Sequence, residues 1–301
     1  MPLRLRRSEL STPGSNEKMI AKAAASAADL VFLDLEDSVA PKEKAAARGK
    51  IVHALETLDW GRKTRAVRIN NLETPYAHQD IIEVVEGARE HLDLIIVPKV
   101  KAARDVWWVD VLLTQLETRL QINKRIGLEV LIEEVEAMIN AEEIARASPR
   151  LEALIFGPGD YSASQGVEVK GIGDSGDYPG DVWHYARNKV IIAARAAGID
   201  MVDGPYAAFN DAAGYRRECN RARILGAVGK WAIHPSQIEI ANDVYSPPRE
   251  QVEQARKLVA AYAQAEAAGL GAVNVDGVMV DAASVRILQN TLRKADLIGM
   301  E

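Results

Sequence analysis

Short apolar and β-branched runs recur along the chain, separated by longer stretches whose apolar positions fall three and four residues apart. Runs of the first kind read as buried strands and stretches of the second as amphipathic helices. The strand runs lie at 4–10, 30–35, 65–69, 94–98, 127–132, 152–156, 200–203 and 228–232. The helical patterns lie at 16–26, 43–57, 78–90, 102–119, 134–147, 184–197 and 210–225, with another from about 236. Eight such βα units over roughly 235 residues predict a (β/α)8 TIM barrel, with an open doubly wound sheet as the alternative.

Beyond the barrel, at 236–301, the pattern changes. After Pro247-Pro248 come a helix (249–268), a Gly-rich turn (269–271), a hairpin around Asp276-Gly277 and a last helix (282–298). This extension is too small to be an enzyme by itself. The division is therefore a catalytic barrel over 1–235 and a C-terminal extension over 236–301. One polar stretch, 164–181, interrupts the alternation and reads as a mobile cover. It contains "GIGDSG" (171–176), which lacks the preceding strand and following helix of a dinucleotide fingerprint.

Composition narrows the function. A net charge of −6 does not suit a protein that holds a polyanionic backbone, so nucleic acid is not an expected partner. No apolar run reaches the roughly 18 residues that a membrane span needs. The single cysteine, Cys219, cannot form an intrachain disulfide, and a cytoplasmic location is expected. The tryptophans, including Trp107, Trp108 and Trp183, fall on helical patterns and are expected to pack.

In a TIM barrel the site lies at the carboxyl ends of the strands. There the chain places Glu36 and Asp37, Arg68, Lys99, Glu133, Asp160, Asp203, and Lys230 with His234 beyond it. Strand ends border helix starts, so Glu133 and Glu134 are also open to a capping reading. Arg68, Lys99 and Lys230 carry the wrong sign for a cap. The mixture suits an anionic ligand together with a cation. Five unpaired histidines and one cysteine argue against zinc, whereas carboxylates on adjacent strands, Glu133 and Asp160, suit magnesium. In "GPGD" the glycines Gly157 and Gly159 are expected to turn the backbone and aim Asp160.

The motifs "FLDLEDSVAPKEKAAAR" (32–48), "VRIN" (67–70), "IIVPKV" (95–100), "EVLIEEVEAM" (129–138), "FGPGD" (156–160), "VDGP" (202–205) and "GKWAIHPSQIEIAN" (229–242) resemble those of a known family. It is the HpcH/HpaI aldolase and citrate lyase β-subunit-like acyl-CoA lyase family. "LDWGRK" (58–63) and "GDVWHYA" (180–186) resemble its malyl-CoA/β-methylmalyl-CoA lyase branch. Ser11 and Asn16 depart from the family pattern at positions usually aromatic and often basic.

The resemblance implies a Mg2+-dependent (Mn2+ as a substitute) carbon–carbon lyase. It would cleave a 3-hydroxyacyl-CoA such as malyl-CoA to a 2-oxo acid and an acyl-CoA, with the coenzyme A thioester as substrate. Citramalyl-CoA lyase, a citrate lyase β-subunit-like protein and a malyl-CoA thioesterase are the alternatives. On this resemblance Arg68 binds the oxo acid, Glu133 and Asp160 bind the metal, and Glu36, Asp37 and Lys99 form the supporting polar shell. Gly159, Asp160 and Lys22 line the substrate. Asp281 crosses to a neighbouring subunit as a proton donor, so a homotrimer or homohexamer with shared sites is expected.

Overall fold

The computed structural model describes residues 4–168 and 180–300. The expected mobile cover and the "GIGDSG" motif fall mainly or wholly outside them. Eight parallel strands close into a barrel in sequence order: β1 (Ser8–Pro13), β2 (Leu30–Asp34), β3 (Thr64–Arg68), β4 (Leu94–Val97), β5 (Gly127–Ile132), β6 (Leu151–Phe156), β7 (Asp200–Asp203) and β8 (Gly229–Ala232). Closure comes from β1 pairing with β8, Glu9 opposite Trp231. The open-sheet alternative is thereby ruled out.

The helices between them are α1 (Glu17–Ala24), α2 (Lys44–Thr57), α3 (Ala77–Ala88), α4 (Ala103–Leu120), α5 (Val135–Ile139), α6 (Ala141–Ile144), α7 (Pro158–Gln165), α8 (His184–Ala197), α9 (Ala212–Leu225) and α10 (Ile238–Tyr245). Two departures from the sequence reading have local causes. The helix expected over 134–147 is broken at Asn140, whose side-chain amide is drawn off to the Lys101 carbonyl. The stretch after β6, where no helix was expected, is the helix α7, started by Pro158 at its first position and stopped by Gly166 in the left-handed region. The first strand also begins later than its apolar run, at Ser8.

Strand parity decides which side chains fill the barrel. Leu30, Phe32, Ala66, Leu94, Ile96, Leu131, Ala153, Ile155, Val202 and Trp231 form one buried cluster. Alternation sends the intervening residues outward to the helices. The cluster's floor is charged and buried: Arg6 donates to Glu129 at 2.7 Å and to Glu152 at 2.5 Å, and the Trp231 indole donates to Glu9 at 2.9 Å. Burial pushes the Glu9 carboxyl well above the usual carboxylate range, helped by Glu129.

Parity also corrects the placement of two residues. Asp203 and Lys230 are side by side in register on the outward face, beside the inward Val202 and Trp231. There Asp203 takes Lys230 Nζ at 2.5 Å and Arg187 Nε at 3.0 Å, while Arg187 also bonds Asp181 at 2.6 Å and Glu218. This buried network fastens α8 and α9 to the barrel wall. It contributes nothing to the rim.

The chain divides into two compact units, one over Arg6–Asp243 and one chiefly Val244–Glu301. The second holds α11 (Arg249–Ala267), an antiparallel hairpin of β9 (Ala272–Val275) and β10 (Val278–Asp281), and α12 (Ala282–Leu297). Its small core gathers Leu258, Tyr262, Val280 and Val285. No described helix is long and apolar enough to cross a membrane.

Candidate active site

Inward parity continued past the strand ends determines the site. On β2 the inward series Leu30, Phe32 ends on Asp34; on β3 Thr64, Ala66 ends on Arg68; past β5, Glu129 and Leu131 lead to Glu133. Asp34 and Arg68 are register partners, so the carboxylate meets the guanidinium sideways in a two-pronged pair, Nε–Oδ1 at 2.7 Å and Nη2–Oδ2 at 2.8 Å. Arg68 also lies 5.5 Å from the Trp231 ring centroid, which closes its lower face.

Asp34 was not foreseen. Charges placed after the apolar runs mark the expected rim, whereas Asp34 lies inside "FLDLED", where its parity with Phe32 is the signal. Its carboxylate is fully buried and further bonded by the Glu36 amide at 2.9 Å and the Ser38 hydroxyl at 2.5 Å. Burial alone would raise its pKa, yet Arg68 and these donors hold it below the usual range. The pair is permanently ionic, and Arg68 is held rigid.

Lys99 ties the rim together. Its backbone is left-handed, with φ +50°, an uncommon conformation for a side-chain-bearing residue. The turn lets its amide donate to Glu133 Oε1 at 2.9 Å while its ammonium reaches Glu36 at 2.7 Å, Asp37 at 3.6 Å and Asp160 at 3.8 Å. Although burial opposes it, the hydrogen bond and charge of Glu36 raise the ammonium above its ordinary value, so it stays protonated. Arg68 Nη1 lies 2.9 Å from Glu36 Oε2 in an ion pair that forms no hydrogen bond, and this buried oxygen keeps an open acceptor.

Glu133 does not cap α5: its bonded oxygen takes the Lys99 amide, and the α5 amide of Val135 goes to Ser164 Oγ at 3.1 Å. Gly157 has an ordinary negative φ, so the expectation that it provides a sharp turn is corrected. Its role is space. A Cβ there would come within 2.5 Å of Glu133 Oε2 and 2.7 Å of Glu133 Cβ. Asp160 stands in the first turn of α7, directly after Gly159, with its side chain about half exposed.

Five carboxyls, Asp34, Glu36, Asp37, Glu133 and Asp160, thus face two cations, Arg68 and Lys99. The surplus shows at Glu133, which burial, then Asp160 and Glu36, push up to about 8. No group of three or more candidate metal ligands occurs among the described residues. Glu133 and Asp160, whose one hydrogen bond with a described residue is that from the Lys99 amide to Glu133 Oε1, fit a hard divalent ion that takes one or two carboxylates and fills its shell from water and substrate.

Of the other expected site residues, Lys22 makes no hydrogen bond or ion pair with a described residue, this cluster included, and Asp281 belongs to the second unit. Lys22 is exposed in the last turn of α1. Asn16, where a basic residue was considered, caps α1 by accepting the Met19 amide at 3.1 Å. Asp281, in the second unit, is exposed and caps α12, accepting from Ser284 N at 2.8 Å and Ser284 Oγ at 2.7 Å; these bonds hold its carboxyl below the usual range. The tryptophans also divide: Trp183 is buried as expected, whereas Trp107 and Trp108 are exposed. Cys219 is buried, and burial pushes its thiol up to about 12.

Known proteins agree with this architecture. The chain is 43% identical over 308 residues to the L-malyl-CoA/β-methylmalyl-CoA lyase of Cereibacter sphaeroides, covering 99% of this chain and 97% of that one. It is 37% identical over 294 residues to the (3S)-malyl-CoA thioesterase of the same species, covering 97% and 95%. Among solved structures, the CitE protein of Mycobacterium tuberculosis in complex with magnesium, acetoacetate and coenzyme A superposes with a TM-score of 0.76 at 29% identity, covering 96% and 97%. The model of the HpcH/HpaI aldolase/citrate lyase family matches residues 7–235, the stretch that builds the barrel and carries the rim carboxylates, and the chain belongs to that family.

Proposed function

We propose that the protein is a Mg2+-dependent acyl-CoA lyase that reversibly cleaves malyl-CoA or β-methylmalyl-CoA to glyoxylate and acetyl- or propionyl-CoA. The observation that carries this reading is the convergence of Arg68, Glu133 and Asp160 on the Glu36–Lys99 pair. A thioester hydrolase with the same rim is the second reading, favoured by the 37% identity to a malyl-CoA thioesterase. The higher and nearly full-length identity is to a lyase.

Glu133 and Asp160 would hold the metal, which supplies Lewis-acid polarisation of the substrate oxygen when bound. Arg68, immobilised by Asp34, would grip the oxo-acid carboxylate and stabilise the oxygen that passes from alkoxide to carbonyl as the carbon–carbon bond breaks. Lys99 would keep Glu36 and Glu133 in place and offset their charge while the anionic substrate enters. In the cleavage direction a base takes the hydroxyl proton, the bonding electrons of the carbon–carbon bond pass to the acyl-CoA enolate, and the enolate carbon must then take a proton. Asp281 of the partner subunit is our candidate donor: its carboxyl is exposed, and a neighbour's groups could replace the Ser284 bonds. Gly159 and Lys22 would line the substrate. A homotrimer or homohexamer in the cytoplasm completes the reading.

The test is a panel of malyl-, β-methylmalyl- and citramalyl-CoA with and without Mg2+, scored by products. Release of glyoxylate with acetyl- or propionyl-CoA is expected. Malate with free coenzyme A would select the hydrolase, and pyruvate from citramalyl-CoA alone would move the assignment to that substrate.

A further inference from the structure

Asp160 has a weakness for a metal ligand: its carboxylate makes no hydrogen bond with any described residue, and its nearest partner, Lys99, is 3.8 Å away. Its position therefore follows that of α7, the eight-residue helix that carries it. Two serines of "DYSASQ" fix that helix on two sides. Ser162, 3% exposed, is bonded to the Pro158 carbonyl at 2.6 Å and receives the Trp183 indole N–H at 2.9 Å. Ser164 receives the amide of Val135 at 3.1 Å.

The two bonds lead to different parts of the site. Val135 follows Glu133 by two residues and opens α5, whose own N-cap residue, Glu134, makes no side-chain cap. Ser164 thus caps α5 from another helix and ties the segment carrying Glu133 to the helix carrying Asp160. Trp183 is 1% exposed and lies 5.7 Å from the Arg187 guanidinium, which is bonded to Asp203 on β7. The Ser162 bond thereby references α7 to the barrel wall.

We propose that Ser162 and Ser164 are positioning residues: they set the placement of Asp160 relative to Glu133 and with it the affinity of the pair for a divalent cation. The proposal rests on the carboxylate-pair reading given above. Residues that orient ligands typically change metal affinity about 10–100-fold when removed.

The test measures Mg2+ binding to the substrate-free protein by calorimetry, with Mn2+ spectroscopy as a second probe, for wild type, Asp160→Ala, the double variant Ser162→Ala/Ser164→Ala, and Trp183→Phe. Trp183→Phe keeps a buried aromatic ring, smaller than the indole, and removes the N–H, which covers the case of a double variant that does not fold. Thermal unfolding in the absence of metal reports any general loss of structure. The expected result is about 10–100-fold weaker binding in the double variant and a smaller weakening in Trp183→Phe, with the Mg2+ requirement of turnover rising more than kcat falls, and recovery in Ser164→Thr, which keeps the oxygen. Wild-type affinity in both the double variant and Trp183→Phe overturns the assignment. A wild type that binds no Mg2+, or an Asp160→Ala variant that binds it normally, defeats the carboxylate-pair reading itself and this proposal with it.

Discussion

Arg68 illustrates how much of a residue's chemistry is set by its neighbours. Two of its nitrogens are committed to Asp34, and a third faces Glu36 Oε2, so the plane of the guanidinium is fixed before any substrate arrives. A lysine would keep the charge but could not span both Asp34 oxygens, and its ammonium would be free to move. Arg68→Lys should therefore fold, since the buried Asp34 keeps a cation nearby, yet lose kcat on the order of a hundredfold or more, as when an oriented donor to a developing oxyanion is removed. Steady-state turnover of malyl-CoA at saturating Mg2+, beside a circular dichroism spectrum, checks this. A variant within threefold of wild type would mean that a positive charge alone suffices.

At the scale of elements, the eight strands were legible because each is a short apolar run bounded by polar residues. Which face a strand-end residue occupies was not legible from its place in the run. Asp203 and Lys230 look like rim residues in the sequence and belong to the helix-facing side, whereas Asp34 lies within the run and faces in. Parity separates them only once the register is known. The helix α7 was missed because "GPGDYSAS" is rich in turn formers; Pro158 suits a helix start, and Gly157 is there for Glu133. Gly157→Ala tests this element directly. The added methyl must displace the Glu133 carboxylate, so overpacking should cost about 1–3 kcal/mol in urea unfolding. The displaced ligand should raise the Mg2+ concentration for half-maximal turnover about 10–100-fold. A substitution that costs stability and leaves the Mg2+ requirement unchanged would show that Glu133 is not a ligand.

At the scale of the whole molecule, the proposed metal pair and anion clamp both belong to the barrel unit, yet every acid on its rim is engaged with Lys99 or Arg68 or is a proposed metal ligand. A proton donor for the enolate must come from elsewhere, and Asp281 is exposed on a separate unit of the same chain. If a neighbouring copy lends it, each site is made of two chains, and defects in the two parts should complement. Arg68→Ala and Asp281→Ala should each be inactive as pure preparations. Co-expressed in equal amounts and assembled at random in a closed ring, they give roughly a quarter of sites a wild-type barrel facing a wild-type tail, and activity should recover to about that fraction. Sites built from one chain cannot behave this way, because every chain in the mixture carries one defect. Co-assembled protein, verified by two affinity tags, that stays at the level of the pure variants would confine the site to a single chain, and a pure Asp281→Ala preparation with wild-type turnover would remove Asp281 from the reaction.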